Sequence, residues 1–156
     1  MKRWWKSCCV ACVAIGALSG CGHAGDEAGA GTVPTSAEAR EVVGRALDLA
    51  TTSAADVCDI ASSKANCEIM LQSAVAVPAK GSSTIVCDAA YGGDGHHVAG
   101  RLVRVRGVNG AGQAFDSTLL VIRSNGAVTV LNPVFWVSTG INVSGVTGRS
   151  LSACEP

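Results

Sequence analysis

The order in which two hydrophobic patterns follow each other constrains the fold more than any other feature of this sequence. Between Ser36 and Ala74 apolar residues recur at spacings of three and four, which is typical of helices that bury one side. After Ser82 they alternate with polar residues, which is typical of strands. Helices that precede a run of strands predict an α+β fold, with N-terminal helices packed on a four-stranded antiparallel sheet.

Local signals place the helices more closely. Ser36 is the predicted N-cap of the first helix, and Glu38 and Glu41 lie in its first turns, where the helix dipole favours acids. The pattern pauses at residues 51–53 and resumes over residues 54–74. We expect Ser62 and Ser63 to break that second stretch into two short helices. A linker over residues 78–83 follows.

Four strands are predicted, with short joins that favour an antiparallel meander. Asn125-Gly126 is a strong hairpin signal because both residues tolerate positive φ angles. Pro133 cannot donate to a ladder, so we expect a bulge or a bend in the last strand. The predicted strands cover residues 84–91, 98–108, 113–123 and 127–137.

The N-terminus has the regions of an export signal in order. Lys2, Arg3 and Lys6 precede an uncharged run, Cys8 to Leu18, that is shorter than the ~20 residues needed to span a bilayer. Leu18-Ser19-Gly20-Cys21 resembles the lipobox of bacterial lipoproteins, in which the cysteine is diacylated and becomes the new N-terminus. An ordinary signal peptide and an uncleaved anchor are the alternatives.

The lipobox resemblance implies how the chain is divided into segments and where the protein is located. We expect a signal peptide over residues 1–20, a tether over residues 21–35 that begins at lipidated Cys21, and one domain with a C-terminal tail over residues 36–156. Residues 22–35 are rich in Gly and Ala, as in flexible tethers. The expected location is the extracytoplasmic face of the cell membrane, and the expected partner there is the membrane itself, through the lipid anchor.

Four cysteines remain for the domain, and an even number in an exported chain predicts two disulfides with three connectivities. Cys58 and Cys67 lie close together in one helical stretch, so we pair them, and Cys87 then pairs with Cys154. No C-x-x-C spacing occurs, which argues against zinc. Asp94-Gly95-His96-His97 resembles a metal-binding sequence, but adjacent histidines on a strand point to opposite faces, and the loop offers no cysteine and no further ligand nearby in sequence. No metal site is therefore predicted.

The charge balance excludes one class of partner. Without the three cations of the signal, nine Lys and Arg face twelve Asp and Glu, a net charge of about −3. A nucleic-acid partner needs a basic surface, so none is expected. Arg101, Arg104, Arg106 and Arg123 could still form a local basic patch. The sequence predicts no cofactor.

The pattern over roughly residues 37–137 resembles small bacterial lipoproteins with a nuclear-transport-factor-2-like domain, a fold shared with ketosteroid-isomerase-like and polyketide-cyclase-like proteins. The likeness rests on Asp56-Val57-Cys58-Asp59, Cys67, Gly112-Gln113-Ala114-Phe115 and Asn132-Pro133-Val134-Phe135-Trp136. It implies a cone-shaped sheet, with helices on one side and a pocket on the other. Cystatin-like and other helix-on-sheet folds remain open.

The resemblance also implies candidate site residues: Asp88, Tyr91, Asp116 and Trp136. Of these, Tyr91, Asp116 and Trp136 are the predicted ligand-binding residues. Trp136 is expected on the pocket side of the last strand, with burial beneath the helices as the alternative. Asp88 and Tyr91 fall on opposite faces of a regular strand, and Asp116 has a plain interpretation as a solvated acid. No catalytic residue is therefore predicted.

Three functions follow from these expectations. The leading one is a non-catalytic binding or accessory domain at the cell surface that holds a small apolar ligand or a protein partner. The first alternative is a pocket enzyme of the isomerase or cyclase type, which would need one carboxylate desolvated enough to act as a base. The second is an interaction domain that forms a homodimer through its sheet.

Overall fold

A computed structural model of the protein describes residues 33–74, 76–94 and 96–137. In this part of the chain three helices come first and four strands follow, which confirms the α+β class. The helices are α1 (Ser36–Thr52), a 3-10 helix (Ala54–Ile60) and α2 (Lys64–Gln72). The strands are β1 (Thr84–Tyr91), β2 (Gly100–Val108), β3 (Ala114–Ser124) and β4 (Ala127–Val130). None of the helices in the described ranges is long and apolar enough to cross a membrane.

The start of α1 differs by one residue from the prediction. Thr35, not Ser36, is the N-cap, and it forms a capping box with Glu38. The Thr35 hydroxyl accepts the Glu38 N–H at 3.3 Å, while the Glu38 carboxylate accepts the Thr35 N–H at 2.8 Å. A capping box needs an acceptor three residues after the cap, and only Thr35 has Glu38 at that spacing. Ser36 is therefore free to bond elsewhere.

The two predicted helix breaks are confirmed. α1 ends at Thr52, the 3-10 helix ends at Ile60, and the Ser63 hydroxyl caps α2 by accepting the Asn66 N–H. The predicted Cys58–Cys67 disulfide joins the last two helices, with the two Cα atoms 5.4 Å apart.

Cys87 is also disulfide-bonded. Cys154 lies outside the described residues, as do Cys21 and the expected signal peptide and tether up to Thr32. The Cys87–Cys154 pairing and the lipidation of Cys21 therefore stay predictions.

The sheet is the expected antiparallel meander, with the strands in the order β1-β2-β3-β4. The β3–β4 hairpin turns at Asn125 and Gly126, whose φ angles of 51° and 80° are both positive, as the sequence signal requires. An irregularity in register between Ile85 and Cys87 lets β1 change which side its residues face.

The expected extent of the last strand was wrong. β4 ends at Val130 instead of continuing to Val137. Leu131 still donates its N–H to the Leu120 carbonyl, but the chain then leaves the ladder. Pro133 has no N–H to donate, and the Asn132 side chain accepts the Val134 N–H, so the backbone turns away. Pro133 thus ends the strand rather than bending it.

The two sides of the sheet are unequal. The helix face, defined by Val103, Val105, Leu119, Val121 and Val130, packs against the helices in the main core. The outer face is defined by the residues that point the other way. A second, smaller cluster lies there: Tyr91, Leu102, Leu120 and Ile122.

Candidate functional site

A buried carboxylate joins the first turn of α1 to the sheet. Asp88 accepts hydrogen bonds from the Ser36 hydroxyl at 2.9 Å, from Arg40 Nε at 2.6 Å and from Arg101 at 2.7 Å. Its side chain is only 6% exposed. Burial raises the pKa of Asp88, but these donors outweigh it and hold the pKa below 3.8. Arg101 also donates to the Pro34 carbonyl at 3.0 Å, so the cluster fixes the entry to α1.

A second acid lies on the outer face. Asp116 accepts two parallel hydrogen bonds from Arg104, both at 2.8 Å, and one from Arg106 at 2.7 Å. Its side chain is 41% exposed. The Arg104 hydrogen bond is the largest cause that holds the pKa of Asp116 below 3.8. Asp116 is thus an ionised surface acid whose charge is balanced by two arginines, which is close to the interpretation of Asp116 as a solvated acid.

The four arginines of the expected basic patch do not form one. Arg101 pairs with Asp88, and Arg123 pairs with Glu38 at 2.8 Å near the start of α1. The Arg123 hydrogen bond is the main cause that lowers the pKa of Glu38 to about 2. Arg104 and Arg106 lie on the other side of the sheet, with Asp116. Each arginine has an acidic partner and the pairs are divided between the two faces.

The connection between β1 and β2 contains a turn that side-chain hydrogen bonds to the backbone hold in place. Asp94 Oδ1 accepts the backbone N–H of His96 at 2.7 Å and that of His97 at 2.8 Å. The same oxygen lies 3.2 Å from His97 Nδ1. Gly93 has a φ of 83°, and a Cβ there would lie 2.9 Å from the Ala99 nitrogen, so the turn requires glycine. The turn therefore fixes the imidazole of His97 beside a carboxylate.

Tyr91 lies beneath this turn and is 7% exposed. Its hydroxyl is near Asp94, without a hydrogen bond of ordinary geometry. Burial, followed by the Asp94 carboxylate, raises the pKa of Tyr91 to about 12. The Tyr91 hydroxyl, followed by the backbone N–H groups, lowers the pKa of Asp94. Asp94 is consequently an anion that its surroundings already stabilise.

An open groove of about 590 Å³ runs along this connection, within the range of ligand sites. Its lining is Gly92, Gly93, Asp94, His96, His97, Val98 and Ala99. A second depression of about 300 Å³ lies between the last two helices, where Lys64 pairs with Asp59 at 2.6 Å. No group of three or more potential metal ligands occurs in the described ranges.

The structure places Trp136 in the main core. It is 2% exposed and packs edge-on against Phe135, with the ring centroids 5.1 Å apart. The expectation that Trp136 lies on the pocket side of the last strand was wrong, because β4 ends at Val130, before this residue. Burial beneath the helices, the stated alternative, is the position that the structure shows.

The three predicted ligand-binding residues do not converge. Tyr91 pairs with Gly100 and Asp116 pairs with Arg106, so six residues of β2, about 20 Å, separate them on the outer face. Trp136 lies on the helix face. The Asp94–His97 pair was passed over because adjacent histidines on a strand point apart. It belongs to a turn instead, and its Asp-x-x-His spacing after Gly93 was the available signal.

Comparisons of the chain with protein-family models, with curated proteins and with solved structures found no match.

Proposed function

We propose that this chain is a lipid-anchored binding or accessory domain at the extracytoplasmic face of a membrane, and that it acts without catalysis. The anchor is supported by the export signal and lipobox of the sequence. The absence of catalysis is supported by the hydrogen-bonded carboxylates of the folded domain. A nuclear-transport-factor-2-like cone is the finer fold that we propose, supported by the order of helices and meander strands.

The observation that carries the non-catalytic proposal is the state of the carboxylates on the sheet and its β1–β2 connection. Asp88, Asp94 and Asp116 each accept several hydrogen bonds, and the pKa of each is lowered. A carboxylate base that works near neutral pH needs the opposite shift, a raised pKa produced by desolvation without compensating donors. These acids are therefore suited to structure and not to proton abstraction.

The disulfides independently support the proposed extracytoplasmic location. The Cys58–Cys67 disulfide and the disulfide of Cys87 suit an oxidising compartment outside the cytoplasm. A cytosolic domain would keep such thiols reduced. The compartment that allows disulfides is also the one to which the N-terminal signal directs the chain.

The proposed working surface is the groove at the β1–β2 connection. It is open and shallow and combines Asp94 and two histidines with Val98, which is 60% exposed. Mixed polar and apolar surfaces of this kind are typical of the contacts between proteins. Leu102 and Leu120 are fully buried on the outer face, which favours a protein partner at this groove over a small apolar ligand within the sheet.

The anchor is tested by Cys21→Ser, with Cys12→Ser as the matched control. We expect Cys21→Ser to abolish incorporation of a palmitate analogue and to release the protein from membranes or leave the precursor uncleaved. Cys12→Ser should be labelled and retained like the unchanged protein. A labelled, membrane-bound and processed Cys21→Ser protein would contradict the anchor.

The groove is tested by photo-crosslinking in cells. A photoreactive amino acid at position 98 should give a discrete protein adduct, whereas the same group at exposed position 69 on α2 should not. Asp94→Ala should weaken the position-98 adduct, because it removes the acceptor that shapes the turn. The absence of any adduct, or equal adducts from both positions, would refute a partner at the groove.

A further inference from the structure

The carboxylate of Asp94 differs from the other ion-paired acids of the described ranges in the partner that it faces. Each of the others contacts an arginine or a lysine, as Asp88 contacts Arg40 and Arg101. Asp94 is paired there with His97 alone, at 3.2 Å, and a histidine is charged only when it is protonated. The groove at the β1–β2 connection therefore contains an acid without a permanent cation beside it.

Neutral donors hold the Asp94 carboxylate in place. Its Oδ1 accepts the backbone N–H groups of His96 and His97, and the Tyr91 hydroxyl lies nearby. Such donors stabilise the ionised form of an acid but leave its negative charge uncompensated. The lowered pKa of Asp94 keeps that charge at neutral pH. The Asp94 side chain is 29% exposed, so a partner can reach the charge.

The turn also determines which atoms of the Asp94–His97 pair are left for a ligand. The Asp94 N–H donates to the His97 carbonyl at 2.9 Å, so the N–H groups of Asp94, His96 and His97 are all used within the turn. Asp94 Oδ2 accepts none of them and lies 3.4 Å from His97 Nδ1. Because a carboxylate accepts hydrogen bonds, this contact assigns the proton of the neutral imidazole to Nδ1 and makes Nε2 an acceptor. Oδ2 and Nε2 are thus the acceptors that the pair offers.

We propose that the groove binds an arginine side chain of a second, different protein, an inference that rests on the proposed function and specifies the chemistry of the partner. A guanidinium has only donors and a permanent charge, which complements two acceptors and an uncompensated negative charge. Val98, exposed in the same groove, offers apolar surface to the methylene stem of the arginine. Arginine is also enriched at protein interfaces, whereas lysine is depleted there.

The proposal is tested in the full chain by removing the charge while the turn is kept. With the photoreactive amino acid at position 98, Asp94→Asn retains an oxygen for the two backbone N–H groups but loses the negative charge. We expect the adduct yield to fall about ten-fold, as the loss of one charge-assisted hydrogen bond predicts. The same substitution at Asp48, which is exposed on α1, is the matched control and should leave the yield unchanged.

Failure of the arginine contact and failure of the proposed function give different results. The absence of an adduct with Asp94 unchanged would refute the proposed function, and the arginine contact with it. An adduct whose yield is the same in Asp94→Asn would refute the arginine contact alone and leave a partner at the groove. Equal losses from Asp94→Asn and Asp48→Asn would also refute the contact, because the effect would not be specific to the groove.

Mass spectrometry of the position-98 adduct identifies the partner side chain. The crosslinked segment should belong to another protein and contain an arginine. Replacing that arginine by glutamine should lower the yield as Asp94→Asn does, and the two changes together should lower it no further, because both remove the same contact. A segment without arginine, an adduct between two copies of this chain, or additive losses would overturn the proposal.

Discussion

The two faces of the sheet use the same strands in different ways. Eighteen buried residues form the core on the helix face, whereas four form the cluster on the outer face. The first set comes from three helices, three strands and the chain after β4. The second comes from the strands alone. The difference teaches that the helices and the chain after β4 close the helix face, whereas no described helix packs on the outer face.

The acids on the two faces also differ in how far they are buried and in which elements they connect. Asp88, with a side chain 6% exposed, lies on the helix side and links α1 to β1 and β2. Asp116, 41% exposed, pairs only with arginines of the adjacent strand. Both acids have two arginine partners. Burial and the elements that each pair connects should therefore decide what each contributes to stability.

Neighbouring leucines on β3 give the most direct test of the two faces. Leu119, on the helix face, and Leu120, on the outer face, are 2% and 0% exposed. We expect Leu119→Ala and Leu120→Ala each to lower the free energy of unfolding by about 2–5 kcal/mol, since each removes a buried side chain. Ile69→Ala, 65% exposed, should change it by less than about 0.5 kcal/mol. Denaturant unfolding measures all three.

A small loss for Leu120→Ala, similar to that of Ile69→Ala, would break the comparison, because it would mean that the Leu120 side chain is not buried in solution as it is in the structure.

The Cys58–Cys67 disulfide should have the next largest effect. It closes a loop with a sequence separation of 9. Replacing both cysteines by alanine should cost about 2–3 kcal/mol, because the unfolded chain gains the entropy of the opened loop. Denaturant unfolding of the variant and of the unchanged protein measures the loss. An unfolding free energy unchanged within about 0.5 kcal/mol would contradict this account.

Asp88→Asn should cost about 1–3 kcal/mol, because it removes a charged acceptor from two arginines in a nearly dry site. The folded pKa of Asp88 is lowered below 3.8, so its contribution is present above that value and is lost as the pH falls through the folded pKa. The stability of the variant should consequently depend less on pH below about pH 5. Denaturant unfolding at several pH values measures both effects.

Asp116→Asn should have the smallest effect, below about 1 kcal/mol, because the side chain is well exposed and water screens its pairs. The effect should shrink further in high salt. A loss as large as that of Asp88→Asn would show that exposure does not separate the two acids.

Local signals made most of the fold predictable. The periodicity change after Ser82 gave the class, and Asn125-Gly126 gave the last hairpin, since both depend on residues near each other in the chain. The end of β4 was missed because Pro133 ends a strand or bends it according to where Val134 to Trp136 can be buried. That outcome depends on the helices, which only the tertiary structure places.

The candidate site was less predictable for a related reason. The face on which each strand residue lies follows from alternation, so the separation of Asp88 from Tyr91 could be foreseen. The partners of an acid could not. Arg40 and Asp88 are 48 residues apart in sequence and meet only because α1 packs beside β1. Asp94 and His97 were close enough in sequence to find, but only a turn makes them contact.

The central claim is that hydrogen-bond donors hold the acids on the sheet and its β1–β2 connection in the ionised form, and that these acids do not act as bases. Site-resolved NMR titration of the carboxyl carbons of Asp88, Asp94 and Asp116 tests it most directly. All three should titrate with midpoints below 3.8, as their hydrogen-bond donors require. A midpoint above about 6 for any of them would contradict the claim and would favour the pocket enzyme instead.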